Sequence, residues 1–185
     1  MPLSSPVSRQ HLHTRTVTCQ GFRRDDGLWD IEGHMTDIKT YDFPNRDRGG
    51  AIKAGEPIHE MWVRVTLDDD LVIQDIEVRT DHAPFTICPD ITPVFAELKG
   101  IGMSRGFLKE VRQRFSGRNG CTHIVELFGP MATAAFQTII PLLRRERGAT
   151  QRPGIIDTCH ALAADGDVVK AEWPQWWEGK KEQTA

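Results

Sequence analysis

Cysteine is scarce in this chain and evenly scattered. Its 185 residues include 4 cysteines, Cys19, Cys88, Cys121 and Cys159, too few and too dispersed for a disulfide scaffold, and none forms a CxxC pair. They are expected as thiols or metal ligands. Long apolar runs are missing as well. Nothing approaches the roughly 20 residues needed to cross a bilayer, and the Ser/Pro-rich start, Met1 to Gln10, has no apolar h-region of a secretory signal. The expected compartment is the cytoplasm, with no membrane partner. Positive charge is not in surplus either: the formal net charge is -3, and the cluster Arg144-Arg145-Glu146-Arg147 has the length of an ordinary basic helix C-terminus. Nucleic acid is therefore not an expected partner. No internal repeat is evident.

What is present reads as an ordinary globular chain, with 39% hydrophobic and 26% charged residues. The expected organisation is a mobile lead-in over 1–12, a single α+β domain over 13–178 and a charged tail over 179–185. The β-branched run Thr14, Thr16, Val17, Thr18 predicts a strand over 13–24, and Asp25-Asp26-Gly27 predicts the turn that follows. In the returning strand, 28–41, Trp29, Ile31 and Met35 share one parity while Asp30, Glu32, His34 and Thr36 share the other. Residues 43–55, with Pro44, Asn45, Gly49 and Gly50, read as a flexible connection long enough for a lid. A second hairpin is expected from 58–67 and 71–80 around Asp68-Asp69-Asp70, with His59 in phase with Met61, Val63, Val65 and Leu67. After Asp81 the period changes to helical. Helices are predicted to end near Gly100 and at Gly117, and a longer one over 122–147 must be kinked or interrupted by Pro130 and Pro141. The predicted fold is α+β, an antiparallel sheet of about four strands covered on one face by C-terminal helices.

Soft-ligand side chains gather at the ends of these elements. His59 begins one strand, Asp81, His82 and Cys88 follow the next, and Cys121 and His123 mark the corner where the long helix starts. Side chains from different segments can converge there, which points to a metal or thiol site. A helix start also favours thiolate, through the positive end of its dipole. The alternative is that Cys88 and Cys121 are small core residues and His59 is a hydrogen-bonded buried histidine. Asp30, Glu32 and His34 could form an acid/base row or simply a solvated sheet face. Cys19 reads as core, and Cys159-His160 has no visible third partner.

Two resemblances follow from these residues. Pro57-Ile58-His59-Glu60 before a strand, Cys88 after the next, Leu98-Lys99-Gly100, and Gly120-Cys121-Thr122-His123 before an alanine-rich helix make the segment 57–140 similar to the IscU/NifU-type iron-sulfur scaffold domain. That resemblance implies an IscU/NifU-like fold and a cluster or zinc site whose second and third cysteines fall on Cys88 and Cys121. The first falls on His59, a departure that leaves a His/Cys/Cys set suited to zinc or iron, or to a transient iron-sulfur cluster, with Asp81 or His123 as auxiliary ligand. The whole chain, through Gly27-Leu28-Trp29-Asp30-Ile31-Glu32-Gly33-His34 and Asn119-Gly120-Cys121-Thr122-His123, resembles an uncharacterised bacterial family, a domain of unknown function. The leading expectation is a metal-binding or iron-sulfur-handling protein with ligands His59, Cys88 and Cys121. One rival is a metal- or thiol-dependent enzyme for a small polar substrate, with Glu32 and His34 transferring the proton. Another is a module that docks a protein partner through Trp173, Trp176 and Trp177.

Overall fold

Alternation of apolar residues along the two central strands creates a sheet with one dry face. The structure, a computed structural model, describes residues 3–148 and 151–179. The last six residues of the expected tail lie outside them. Six strands are present: β1 (His13–Arg23), β2 (Trp29–Lys39), β3 (Phe43–Asn45), β4 (Gly50–Ile52), β5 (Pro57–Leu67) and β6 (Ile73–His82). The long ones form an antiparallel sheet in the order β1-β2-β5-β6. Trp29, Ile31 and Met35 of β2 are buried, as are Met61, Val63, Val65 and Leu67 of β5. The alternation read from the sequence is therefore the alternation that folds, and burial of each such side chain contributes about 1.5–3 kcal/mol.

The connection at 43–55 differs from the expected flexible loop. It is the small hairpin β3–β4, fixed because the Asn45 side chain donates to the Pro84 carbonyl at 2.8 Å and accepts from the Arg48 backbone N–H at 2.9 Å. Ile52, at the end of β4, is buried. The segment Cys88–Leu98 is a 3₁₀ run rather than an α-helix, consistent with Pro93 inside it lacking the N–H that an α-helical bond would need.

Helices α1 (Phe107–Phe115) and α2 (Thr122–Arg147) follow. Of the kink or interruption expected at the prolines, interruption does not occur: α2 continues through both. Pro130 and Pro141 are exposed, so the missing N–H groups fall on the solvent side, where a helix that wraps a core is already stretched. Ile124, Leu127, Phe128, Met131, Ala135 and Ile139 make up the buried stripe of α2, and Phe128 meets Phe95 and Phe107 with ring centroids 5.9 Å apart. By length and composition α2 passes for a membrane span, one such helix among the described residues. Its apolar stripe is nevertheless spent inside the fold.

Residues up to Pro141 form one compact unit and those from Leu142 onward a second. In the second, Trp173, Trp176 and Trp177 are half-buried and pack on Ile156, Ala164 and Val169, and Lys170 lies over the Trp177 ring at 4.6 Å. The rings close a small core there instead of forming an open patch.

Two glycines set how closely α2 lies on the sheet. A Cβ on Gly21 would fall against the Thr138 side chain, and one on Gly33 would come within 2.6 Å of Met131 Sδ. Gly21→Ala should therefore cost about 1–3 kcal/mol in urea unfolding, and Gly33→Ala less, because the methionine chain can move aside. Adding Thr138→Ala to Gly21→Ala should recover only part of the loss, since the Thr138 Cβ itself would stand 2.8 Å away. An unchanged unfolding midpoint in Gly21→Ala would show that the helix sits further from the sheet.

Candidate functional site

The dry face of the sheet ends in charge. Directly opposed partners across the sheet are Arg15 and Asp37 on β1 and β2, then Asp37 and His59 on β2 and β5. These three share the inward parity of Met35 and Met61, so one cross-strand row carries a guanidinium, a carboxylate and an imidazole side by side. The β2–β5 register shifts at Asp37/Ile38, where Ile38 pairs with Pro57; a bulge of this kind re-aims side chains at a strand end. Over the row stands His123, in the first turn of α2.

Asp37 is the hub, only 3% exposed. Arg15 grips it from both sides, Nε donating to Oδ1 and Nη2 to Oδ2, each at 2.8 Å. His13 Nε2 donates to Oδ1 at 2.9 Å, and His59 Nδ1 donates to Oδ2 at 3.1 Å. His123 Nε2 lies 3.8 Å from Oδ2, and its ring faces that of His59 with centroids 3.8 Å apart. Arg15 also reaches Glu126 on α2 at 2.5 Å, tying helix to sheet at the same point. A buried carboxylate without partners would be costly; this one has four donors.

Burial alone would raise the Asp37 pKa, but the hydrogen bond and charge of Arg15, with His13 and His59, bring it down to about 2. His59 is pushed down to about 4, first by burial and next by His123, with Asp37 opposing. His123 is also lowered, chiefly by burial and then by the charge of Arg15. Both imidazoles are thus neutral at pH 7. With its Nδ1 proton committed to Asp37, His59 keeps a lone pair on Nε2, available to accept a proton or to bind a ligand.

This cluster borders a cleft of about 460 Å³. Its walls include His13, Lys39, Phe43, Ile58 and Phe85, so the β3–β4 hairpin forms one side.

The residues singled out from sequence are divided by the fold. His59 and His123 come together. Cys121 lies immediately before α2 with its Sγ 3.9 Å from His123 Nδ1, so it touches the cluster without joining the three closest donors. Among the described residues, the group whose ligand atoms all lie within 4.8 Å of one another is Asp37, His59 and His123. Cys88, at the start of the 3₁₀ run, belongs to no such group, and the expected His59/Cys88/Cys121 set does not assemble. Asp81 accepts from the Trp62 indole at 3.0 Å, on the opposite side of the sheet.

Glu32 and His34 also occupy that far face and do not pair with each other. Glu32 accepts from Arg64 Nε at 2.7 Å, while His34 donates to Glu60 at 3.1 Å and stacks on Trp62 at 3.5 Å. Each is held by a different neighbour, and the proton-transfer pair is not formed. Asp37, Arg15 and His13 were not foreseen, although each continues the inward parity of its strand.

A family model described as a protein of unknown function (DUF2889) matches residues 13–137. This is well over half of the chain, and the chain belongs to that family. It includes every residue of the Asp37 cluster. No curated protein and no solved structure matches. The iron-sulfur scaffold resemblance thus finds no support in a structural relative.

The depressed histidines make a pH signature. An unfolded histidine takes up a proton near its ordinary value of 6.5, whereas His59 resists to about 4, so stability is fully present above about 6.5 and is lost as pH falls toward 4. In metal-stripped protein, the urea midpoint should fall over that window, and His59→Gln should flatten the fall. An identical slope in the variant would show that His59 is not held neutral.

Proposed function

We propose that this DUF2889 protein binds a divalent first-row metal, zinc or iron, through Asp37, His59 and His123. One observation carries the reading: three donors of the right chemistry, brought from β2, β5 and α2, have their ligand atoms within 4.8 Å of one another beside a cleft. Two neutral imidazoles and a carboxylate suit zinc and non-haem iron, and they leave coordination positions open. Ligands on bonds of about 2.0–2.1 Å stand roughly 3.3 Å apart in a tetrahedral site. The separations of His59 and His123 from Asp37 Oδ2, 3.1 and 3.8 Å, bracket that spacing. The metal would replace the Nδ1 proton of His59, leaving Arg15 and His13 on the other lone pairs of Asp37 as supports of the ligand. Cys121 stands behind His123 as an outer partner. Neither Cys88 nor an iron-sulfur cluster is needed.

A second reading is favoured by the two-pronged grip of Arg15. Asp37 already has a full-strength cation on both oxygens, and this charge also opposes a metal ion. The cluster would then work without metal, Asp37 orienting His59 so that Nε2 serves as a general base in the cleft.

Elemental analysis of protein purified without added metal, with titration of the stripped protein by cobalt(II), separates the two. Wild type and Cys88→Ser should carry near-stoichiometric metal and give a saturable cobalt spectrum, whereas His123→Gln, checked for native circular dichroism, should lose both. A wild type that neither retains metal nor saturates with cobalt leaves the general-base reading. Loss in Cys88→Ser with retention in His123→Gln would return the site to the His59/Cys88/Cys121 set.

A further inference from the structure

The cleft beside Asp37 holds a cation that the Asp37 cluster does not use. Lys39, two residues beyond Asp37 at the end of β2, is half-buried, and its Nζ lies 4.0 Å over the Phe43 ring and 5.0 Å from that of Tyr41. Ring faces hold the ammonium in place without neutralising it. No carboxylate lies within ion-pair distance of it among the described residues. The other cations at the cleft are answered: Arg15 by Asp37 and Glu126, and Arg46, almost fully exposed, by Asp47 at 2.7 Å. One unmatched positive charge therefore faces the cleft, and beside it stand Phe43, Pro44, Ile58, Pro84 and Phe85.

We propose that this cleft binds a small organic monocarboxylate with an aromatic or branched apolar body, its carboxylate on Lys39 and its body against Phe43, Ile58 and Phe85. The charge arithmetic selects a monoanion over a phosphate dianion, since a second negative charge would meet only cations that already have partners. The walls select an apolar body, because a wholly polar ligand would leave Phe43 and Phe85 without a contact to replace water. A volume of about 460 Å³ lies in the range of small-molecule sites, about 300–1,000 Å³. Carboxylate recognition by a positioned ammonium is a charge-assisted hydrogen bond. The inference deepens the reading of this cleft as the functional site and names what enters beside the Asp37 cluster.

Benzoate, benzamide and phenyl phosphate, followed by ligand-observed NMR titration on the full chain, stripped of metal and loaded with zinc, test it. Benzoate should bind the stripped protein more tightly than either analogue. Lys39→Gln should weaken it by about ten-fold or more, while Arg46→Gln, which removes a charge at the rim, should change it less than about two-fold. Equal binding of benzamide, tighter binding of phenyl phosphate, or indifference to Lys39→Gln each overturns the proposal. Benzoate that binds only with zinc present and regardless of Lys39 also overturns it, by placing the carboxylate on the metal. Zinc binding with no benzoate binding sinks this inference alone, and benzoate binding without zinc binding sinks the metal reading alone.

Discussion

The carboxylate of Asp37 is a charge placed where the strand pattern calls for an apolar side chain, and the architecture around it follows from keeping it ionised. Arg15 from β1, His59 from β5 and His123 from α2 have different backbone origins and one common target. A lone buried carboxylate would protonate or unfold the strand end. With four hydrogen bonds it instead becomes the fixed point that joins β1 and β5 to β2, with His123 of α2 3.8 Å away. The close fit of α2 at Gly21 and Gly33 serves the same end, because it brings the first turn of the helix over the row.

The two sides of the sheet do different work. On the far face, Glu32, Arg64 and Glu77 form an exposed ladder of ion pairs, and His34 lies between Trp62 and Glu60. Exposed pairs of this kind contribute little to stability. On the near face the charged groups are fewer, better buried and incompletely matched, with Lys39 left over. That imbalance, at the mouth of a cleft and next to imidazoles held neutral, is what the ligand proposal rests on.

Much of this was legible in the sequence, and what was not has identifiable causes. The phase of Trp29, Ile31 and Met35 gave the inward face correctly, and continuing it by two residues arrives at Asp37. Arg15 likewise continues the phase of Val17 and Cys19. Even their pairing follows from a turn centred on Asp26, which sets Arg15 opposite Asp37. The step to His59 is different, because it crosses the β3–β4 hairpin and a bulge, neither of which has a sequence period. The position of His123 depends on how far α2 slides along the sheet, and that is fixed by the contacts of Gly21 and Gly33. Cysteines drew attention to helix starts, where a thiolate is favoured, but proximity is a tertiary property and it gathered histidines around an acid instead.

Asp37 holds the proton of the neutral His59 on Nδ1. Long-range ¹H–¹⁵N NMR of the imidazoles in metal-stripped protein reads this directly. His59 should be in the Nδ1–H form, with Nε2 unprotonated, from neutral pH down to about 4. An Nε2–H form, or a resonance that titrates near the ordinary 6.5, would contradict it.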